Sequence, residues 1–128
     1  MAANIEIRGL DKLQDKLGDL EQVKTVLVPP MRRGVLRIQA QMQVYPPATW
    51  YRTGNLGRSW TTAIDRTGGR LWGVVGNNRV YAPWVQSARF QRAVFKRNGW
   101  TTDQAATERE MPAILDDFDG TVQRKMDE

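Results

Sequence analysis

The side chains best suited to recognition chemistry in this chain are arginines and aromatic rings, and they are densest between Tyr45 and Trp60. This stretch, YPPATWYRTGNLGRSW, contains Trp50, Tyr51, Arg52 and Arg58. A guanidinium binds carboxylates or phosphates, and an aromatic ring buries a large apolar area, so the combination is typical of interface centres. A structural loop between two core elements is the alternative. The stretch therefore predicts either a partner-binding segment or a connection.

The chain lacks the residues that most often carry catalysis or hold metals. It has no histidine and no cysteine among its 128 residues. Their absence removes the commonest general base, the commonest metal ligands and the strongest nucleophile. We therefore expect no enzyme activity, no cofactor and no metal. The sequence also predicts neither a secretion signal nor a membrane-spanning segment, because no apolar run is long enough.

The net charge of +5 hides an uneven distribution of charge along the chain. Residues 1–30 carry four basic and five acidic side chains. Residues 31–100 carry twelve basic side chains and a single acidic one, Asp65, whereas residues 101–128 carry three basic and eight acidic side chains. Such asymmetry indicates a polyanionic partner for the middle, or an acidic end that meets the basic middle of a neighbouring copy. A solvated charged surface is the plain alternative.

Helical spacing dominates residues 9–44, which precede the aromatic stretch. The leucines from Leu10 to Leu20 recur every three or four residues, and a second helical piece is expected over Glu21 to Val28. Pro29 and Pro30 should separate that piece from a helix reaching Val44. On this last helix a narrow apolar stripe is formed by Met31, Val35, Ile38 and Met42. Upstream, Ile5 and Ile7 alternate with polar residues and predict a short strand over 4–9.

Strand spacing follows the junction at 45–57. Apolar and polar residues alternate over 58–76 around Gly68-Gly69, which predicts an antiparallel β-hairpin. Residues 77–100 are expected to form a loop and an edge element, extended from Val80 to Gln86 and broken at Pro83. Thr101 with Gln104 resembles a capping box that opens a C-terminal helix over 101–127. Pro112 should kink or divide this helix.

These elements predict an α+β fold in a single domain spanning residues 1–128. A small antiparallel sheet built on the hairpin is packed by the N-terminal and central helices and by the C-terminal helix. The stripe of Met31, Val35, Ile38 and Met42 should lie on the hairpin, because neither element can bury its apolar face alone. On the C-terminal helix the expected buried stripe is Met111, Leu115, Phe118 and Val122.

The segment from Ser87 to Trp100 interleaves basic and aromatic residues: Arg89, Phe90, Arg92, Phe95, Lys96, Arg97 and Trp100. Such a pattern can bind single-stranded nucleic acid by stacking and phosphate contact. It can equally pack on the sheet or contact a subunit through its rings. The surroundings show no RNA-recognition motif and no oligonucleotide-barrel pattern, which favours packing or subunit contact.

Taken in order, several motifs resemble the tail-completion family of tailed double-stranded DNA phages and prophages. The most specific are Arg52-Thr53-Gly54-Asn55-Leu56 with Ser59, and Tyr81-Ala82-Pro83-Trp84-Val85; an LDKL helix precedes them and NGWTT opens the last helix. The resemblance implies a non-catalytic α+β protein of the virion neck or the top of the tail, assembled in the host cytoplasm. It also implies a homo-oligomeric ring around the DNA channel, six-fold as the first hypothesis.

The resemblance also implies partners for the ring: head-closure, tail-terminator or tail-tube proteins, with DNA passing through non-specifically and no membrane. A tail-terminator or head-closure role, and a small basic nucleic-acid-binding module, are the alternatives. The residues expected at a subunit or partner interface are Trp50, Tyr51, Arg52, Arg58, Tyr81, Trp84, Trp100, Asp116, Asp117 and Asp119. Arg66 and Arg70 at the hairpin turn are the candidates to face the channel.

Overall fold

The computed structural model describes residues 9–44, 46, 55–68, 70–79 and 81–128. The expected strand over 4–9, except its last residue, and the segment 47–54 lie outside these residues. The elements in order are α1 (Leu10–Leu17), α2 (Leu20–Met42), α3 (Asn55–Arg58), β1 (Trp60–Asp65), β2 (Trp72–Asn77), α4 (Ala82–Gln86), α5 (Ala93–Arg97) and α6 (Asp103–Met126). The chain is α+β, with a two-stranded antiparallel sheet and several helices, which confirms the predicted fold class.

Two glycines set the ends of α1. Gly9 and Gly18 have φ of 82° and 90°, a left-handed conformation that glycine adopts without a Cβ clash. Directly after Gly18, the Asp19 carboxylate accepts a hydrogen bond of 2.8 Å from the Gln22 amide and caps α2. The predicted helix from Leu10 to Leu20 therefore ends early, and Leu20 is 40% exposed at the start of α2.

The prediction that Pro29 and Pro30 divide this region into two helices is wrong. Helix α2 runs through both prolines as one 23-residue element. A proline in a helix interior costs about 3 kcal/mol, because it removes a hydrogen bond and crowds the preceding turn. Buried residues on both sides of the pair, Val23 and Leu27 before it and Val35 and Met42 after it, pack against other elements and outweigh that cost.

The predicted β-hairpin is confirmed, with strands slightly shorter than the expected 58–76 range. Trp60 pairs with Asn77 and Asp65 pairs with Trp72, and the alternate residues Trp60, Thr62 and Ile64 are the half-buried ones on β1. On β2, Gly73 faces α2 so closely that a Cβ atom there would lie 2.4 Å from a Val35 methyl carbon. The central helix therefore packs on the hairpin through Met31 and Val35, as predicted.

The C-terminal helix begins one residue later than the capping-box pattern predicted. The Thr102 hydroxyl accepts a hydrogen bond of 3.2 Å from the Ala105 amide, so Thr102 is the N-cap and Thr101 is not. The expected division of this helix at Pro112 is also wrong, since α6 is continuous over 24 residues, whereas the alternative of a kink there stays a prediction. Its packing against α1 and α2 explains the continuity. The main core there consists of Leu13, Val23, Leu27, Ile114, Phe118 and Val122.

The extended edge element predicted over Val80 to Gln86 is wrong in its described part. Ala82–Gln86 forms the short helix α4, with Pro83 in its first turn, where the missing N–H is not needed. Buried Leu56, Ala82 and Val85 form a second core against which Phe95 and Trp100 pack. The Gln86 side chain is 1% exposed and donates a hydrogen bond of 3.0 Å to the Met42 carbonyl, which ties α4 to the end of α2.

Candidate interaction surface

Two exposed rings in mutual contact and four exposed basic residues occur on α4, α5 and the connection between them. We call these six residues the corner: Trp84, Arg89, Phe90, Arg92, Lys96 and Arg97. Trp84 lies on α4 and the last two residues on α5, with the connection between the helices supplying the others. Trp84 and Phe90 are 42% and 49% exposed. The corner is therefore a mixed basic and aromatic surface.

Backbone hydrogen bonds fix the connection that carries the corner. The Arg92 amide donates to the Trp84 carbonyl at 2.8 Å, and the Gln91 amide donates to the Ser87 carbonyl at 2.8 Å. The Gln91 side chain donates to the carbonyls of Val85 and Trp100 at 2.7 and 3.0 Å. These bonds use backbone groups and the Gln91 side chain, and the cationic side chains of the corner donate no hydrogen bond to an acceptor in the part of the chain that the structure describes. The connection that carries the corner is thus held in place by hydrogen bonds.

The rings and guanidinium groups of the corner stack on one another. The Trp84 and Phe90 rings meet edge to face, with centroids 6.1 Å apart and planes at 79°. The Arg92 guanidinium carbon lies 5.4 Å from the Trp84 centroid, and that of Arg89 lies 5.2 Å from the Phe90 centroid. Cation–π contacts of this kind hold a guanidinium over a ring while leaving its N–H donors open to an anion.

No acidic residue occurs between Asp65 and Asp103 in the sequence. Other cations are used within the chain: Lys16, Lys24, Arg33, Arg37, Arg66, Arg79, Arg109 and Lys125 all donate to protein acceptors. In contrast, none of the four corner cations pairs with a carboxylate of the described residues. The corner therefore combines unneutralised positive charge with open apolar area.

Carboxylates of the opposite charge lie along one side of α6. Glu108, Asp116 and Asp119 are exposed and fall within an arc of about 80° at 100° per residue; we call them the acidic stripe. Glu108 accepts from Gln104, while Asp116 and Asp119 bond to no side chain that the structure describes. The acidic face expected on this helix is therefore present, but few of its carboxylates are without a hydrogen-bond partner among the described side chains.

Asp117 does not belong to that free surface, although the sequence suggested that it did. Its two carboxylate oxygens accept from the Arg33 guanidinium at 2.6 and 2.8 Å, a bidentate pair between α2 and α6. The hydrogen bond from Arg33 and its positive charge hold the pKa of Asp117 below its ordinary value, against a smaller opposing effect of burial. Asp117 therefore has a role inside the chain, and only Asp116 and Asp119 remain of the predicted acidic interface residues.

The arginines proposed to face a channel are also partly engaged. The Arg66 guanidinium donates 2.8 Å to the Thr25 hydroxyl on α2. The guanidinium carbon of Arg70 lies 5.6 Å from the Trp72 ring centroid. Arg66 thus anchors the hairpin turn to α2, which the sequence did not reveal, whereas Arg70 is exposed beside an exposed ring.

The remaining predicted interface residues divide into three groups. Trp50, Tyr51 and Arg52 lie outside the described residues. Tyr81 and Trp84 are each 42% exposed, but Trp100 is half-buried in the second core. Arg58 donates 2.8 Å to Asn55 within α3. Of the described residues in this set, Trp84 alone belongs to the corner.

Arg89, Phe90 and Arg92 were not among the predicted interface residues. The interleaving of basic and aromatic residues over Ser87 to Trp100 was the signal that could have found them. What the pattern could not show is which rings are buried: Phe95 and Trp100 pack into the second core, whereas Phe90 stays open. The helix α4 turns Trp84 toward the same place.

No cluster of three or more candidate metal ligands occurs in the described part of the chain. An open groove of about 420 Å³ lies beside the corner and is lined by Ser87, Ala88, Arg89, Phe90, Asp103 and Gln104. The Asp103 carboxylate in this groove accepts from the amides of Ala88 and Gln104 at 2.9 and 2.8 Å. The groove is therefore a seam between the corner and the start of α6.

Among residues 9–44, 46, 55–68, 70–79 and 81–128, no helix is long and apolar enough to cross a bilayer. Comparison with family models, with curated proteins and with solved structures gave no match for this chain.

Proposed function

We propose that this chain is a structural subunit of the neck or the top of the tail of a tailed double-stranded DNA phage. Copies of it would form a ring around the DNA channel that joins head and tail. The observation that carries the proposal is the corner, where two arginines lie over two half-exposed rings and none of the four cations pairs with a carboxylate of the described residues. Surfaces of this composition serve binding to a partner macromolecule.

Two further features support an assembly role. The described polar groups are largely used in fixing elements to one another, as in the Arg33–Asp117 pair and the Lys24 contacts with the hairpin turn. The motif order, from LDKL through RTGNL and YAPWV to NGWTT, resembles the tail-completion family. Together these features favour a rigid subunit with a partner-binding corner.

Disrupting the reading frame in the phage genome that encodes it tests this function. Filled heads and finished tails that remain separate, seen by negative-stain electron microscopy, are the expected result. Complementation with the intact chain should restore joined particles. A chain with Arg32→Glu should restore them too, because Arg32 is an exposed cation outside the corner. Normal joining without the chain would exclude the proposal.

A nucleic-acid-binding module is the second candidate, favoured by the half-exposed Trp84 and Phe90 rings beside Arg92 and Arg89. Stacking on bases and contacts to phosphates would then use the corner directly. If its four cations each met one phosphate, the logarithm of the binding constant for a single strand should fall with the logarithm of salt concentration with a slope of about −3. Fluorescence anisotropy with a labelled oligonucleotide measures this slope, and weak binding without it favours the structural role.

A further inference from the structure

The corner and two members of the acidic stripe, Asp116 and Asp119, lie at different places along α6. The groove beside Arg89 and Phe90 includes Asp103 and Gln104, so the corner meets the first turn of the helix. Asp116 and Asp119 follow 13 and 16 residues after Asp103. At about 1.5 Å per residue they lie roughly 20–24 Å further along the helix axis. A corner held at the start of α6 cannot reach the carboxylates of its own chain there.

The other carboxylates along α6, at positions 103, 108, 110 and 117, already accept hydrogen bonds within the chain. Asp117 is held by Arg33, and Glu110 is shared between Arg37 and Gln41. Asp103 caps backbone amides beside the corner instead of pairing with its cations. Asp116 and Asp119 are the exposed acids of α6 that bond to no side chain in the described residues.

We infer that the corner of one copy docks on Asp116 and Asp119 of a second copy of this chain. Charge complementarity carries the choice of partner: Arg89, Arg92, Lys96 and Arg97 face two carboxylates three residues apart on one helix side. The open rings of Trp84 and Phe90 supply apolar area at the centre of the contact. The inference rests on the proposed function in one respect: it assumes that copies of this chain assemble with one another.

Such a contact is heterologous, because each copy contributes a different surface to each of its two neighbours. A chain whose corner is occupied still has a free stripe, and the reverse also holds. Repetition of the contact therefore gives a ring or an open filament and not a closed dimer. The pairing of exposed charges should also weaken as salt rises.

A charge swap tests the inference. Variant one carries Arg89→Glu, Arg92→Glu, Lys96→Glu and Arg97→Glu, so that its corner and its stripe are both acidic. Variant two carries Asp116→Lys and Asp119→Lys, so that both surfaces are basic. Sedimentation velocity at low salt should show assembly of the unaltered chain and at least about tenfold weaker association of each variant alone, because like charges then face one another.

An equimolar mixture of the two variants should assemble again, since each acidic corner then meets a basic stripe and each acidic stripe meets a basic corner. Matched controls are Arg32→Glu and Asp15→Lys, which reverse exposed charges elsewhere and should leave association unchanged. Circular dichroism checks that both variants are folded. If variant one does not fold, a chain with Arg89→Gln, Arg92→Gln, Lys96→Gln and Arg97→Gln should associate at least about tenfold more weakly than the unaltered chain, and this loss together with that of variant two still decides the question.

Three results would overturn the inference: no association of the unaltered chain at any soluble concentration, assembly of either variant alone, or no rescue on mixing. Oligonucleotide binding by a chain that stays monomeric, lost in variant one, would assign the corner to nucleic acid. The neck function is tested separately. If head–tail joining depends on the chain but the charge swap fails, the neck function is supported and the copies meet through a different interface. If the charge swap succeeds but joining does not depend on the chain, the interface is supported and the neck function is not.

Discussion

The Nζ atom of Lys24, on the buried side of α2, lies 2.7 Å from the carbonyl oxygen of Arg66 in the turn between the two strands. The same ammonium group donates 2.6 Å to the Gly68 carbonyl and pairs with Glu21 at 2.7 Å. Lys24 is 3% exposed, so these bonds are shielded from water. One buried lysine therefore fixes the hairpin turn to the helix on which the sheet packs.

Replacing Lys24 with methionine should destabilise the chain by about 2–3 kcal/mol, since hydrogen bonds to charged groups contribute about 1.5–3 kcal/mol and two turn carbonyls lose their donor. Methionine keeps much of the packing volume, which isolates the polar loss. Urea unfolding measures the change. Lys96→Met is the matched control, because Lys96 is exposed and has no such contacts in the described residues, and it should change the midpoint very little. Equal midpoints for the two variants would contradict the role of Lys24.

The Arg33–Asp117 pair predicts a pH-dependent contribution to stability. Hydrogen bonding from Arg33 lowers the pKa of Asp117 in the folded chain below its ordinary value of 3.8. Its stabilising contribution is therefore complete above about pH 4, and it is lost as the pH falls through the lower, folded pKa. The difference in unfolding free energy between the native chain and Asp117→Asn should shrink below pH 4.

Denaturant unfolding from pH 7 to pH 2 measures that difference. In an Arg33→Gln background, Asp117→Asn should have a smaller effect with little pH dependence, because the partner that lowers the pKa is gone. A difference that stays constant down to pH 2 would show that the pair does not set the pKa of Asp117. The carboxylates of Asp65 and Glu128 also have a lowered pKa, but they are present in both chains and cancel in the comparison.

Residue spacing was enough to predict the α+β class, the hairpin and the stripe of Met31 and Val35 that packs on it. It failed at Pro29, Pro30 and Pro112, because local propensity predicts a break at each proline while tertiary packing keeps α2 and α6 continuous. The rule that prolines end helices holds for isolated segments. It is overridden here by buried residues that flank each proline.

Residue spacing pointed to only part of the candidate interaction surface, and an interface role for any of its residues stays a prediction. Trp84 was identified, but α4 was expected as a strand, although Ala82, Val85 and Gln86 have the i, i+3, i+4 spacing of a buried helix face. Residue spacing did not single out Lys24, and it placed Asp117 at a subunit or partner interface, since a sequence does not show which charges meet across elements. Lys24 meets Arg66, 42 positions away, and Arg33 meets Asp117, 84 positions away. Both pairings result from the packing of α2 on other elements, which the sequence does not show.

Gly73 on β2 should not tolerate a methyl group. A Cβ atom there would lie 2.4 Å from a Val35 methyl carbon and 2.6 Å from the Met31 sulfur. Gly73→Ala must therefore displace the Val35 and Met31 side chains or the hairpin itself, and overpacking of this kind costs about 1–3 kcal/mol. Gly76→Ala on the same strand is the matched control, because nothing lies within 4 Å of a Cβ at that position.

Thermal unfolding of the two alanine variants checks this contrast, and only Gly73→Ala should lower the melting temperature. In a Val35→Ala background the cost of Gly73→Ala should be smaller, since the nearest methyl carbon is then absent. An equal effect of Gly73→Ala in both backgrounds would mean that the sheet and α2 are not in contact at this point.

Replacing Pro112 with alanine should stabilise α6. Pro112 is exposed inside the helix, and its ring nitrogen cannot donate to the Glu108 carbonyl four residues earlier. Alanine restores that donor and has the highest helix propensity, so a gain of about 1–3 kcal/mol is expected. Pro83→Ala is the matched control: Pro83 lies in the first turn of α4, where an amide has no intrahelical acceptor, and its replacement should give no gain.

Guanidinium unfolding, followed by circular dichroism of the helices, measures both proline variants. A stabilised Pro112→Ala chain whose association in the charge-swap assay is unchanged would mean that the proline is only a local defect that the core outweighs. A chain that is stabilised but no longer associates would instead tie the geometry of α6 at Pro112 to the acidic stripe, because Glu108 precedes the proline by one turn and Asp116 follows it by one turn. Destabilisation by alanine would show that the cost assigned to Pro112 is wrong, since no described contact of the proline would account for the loss.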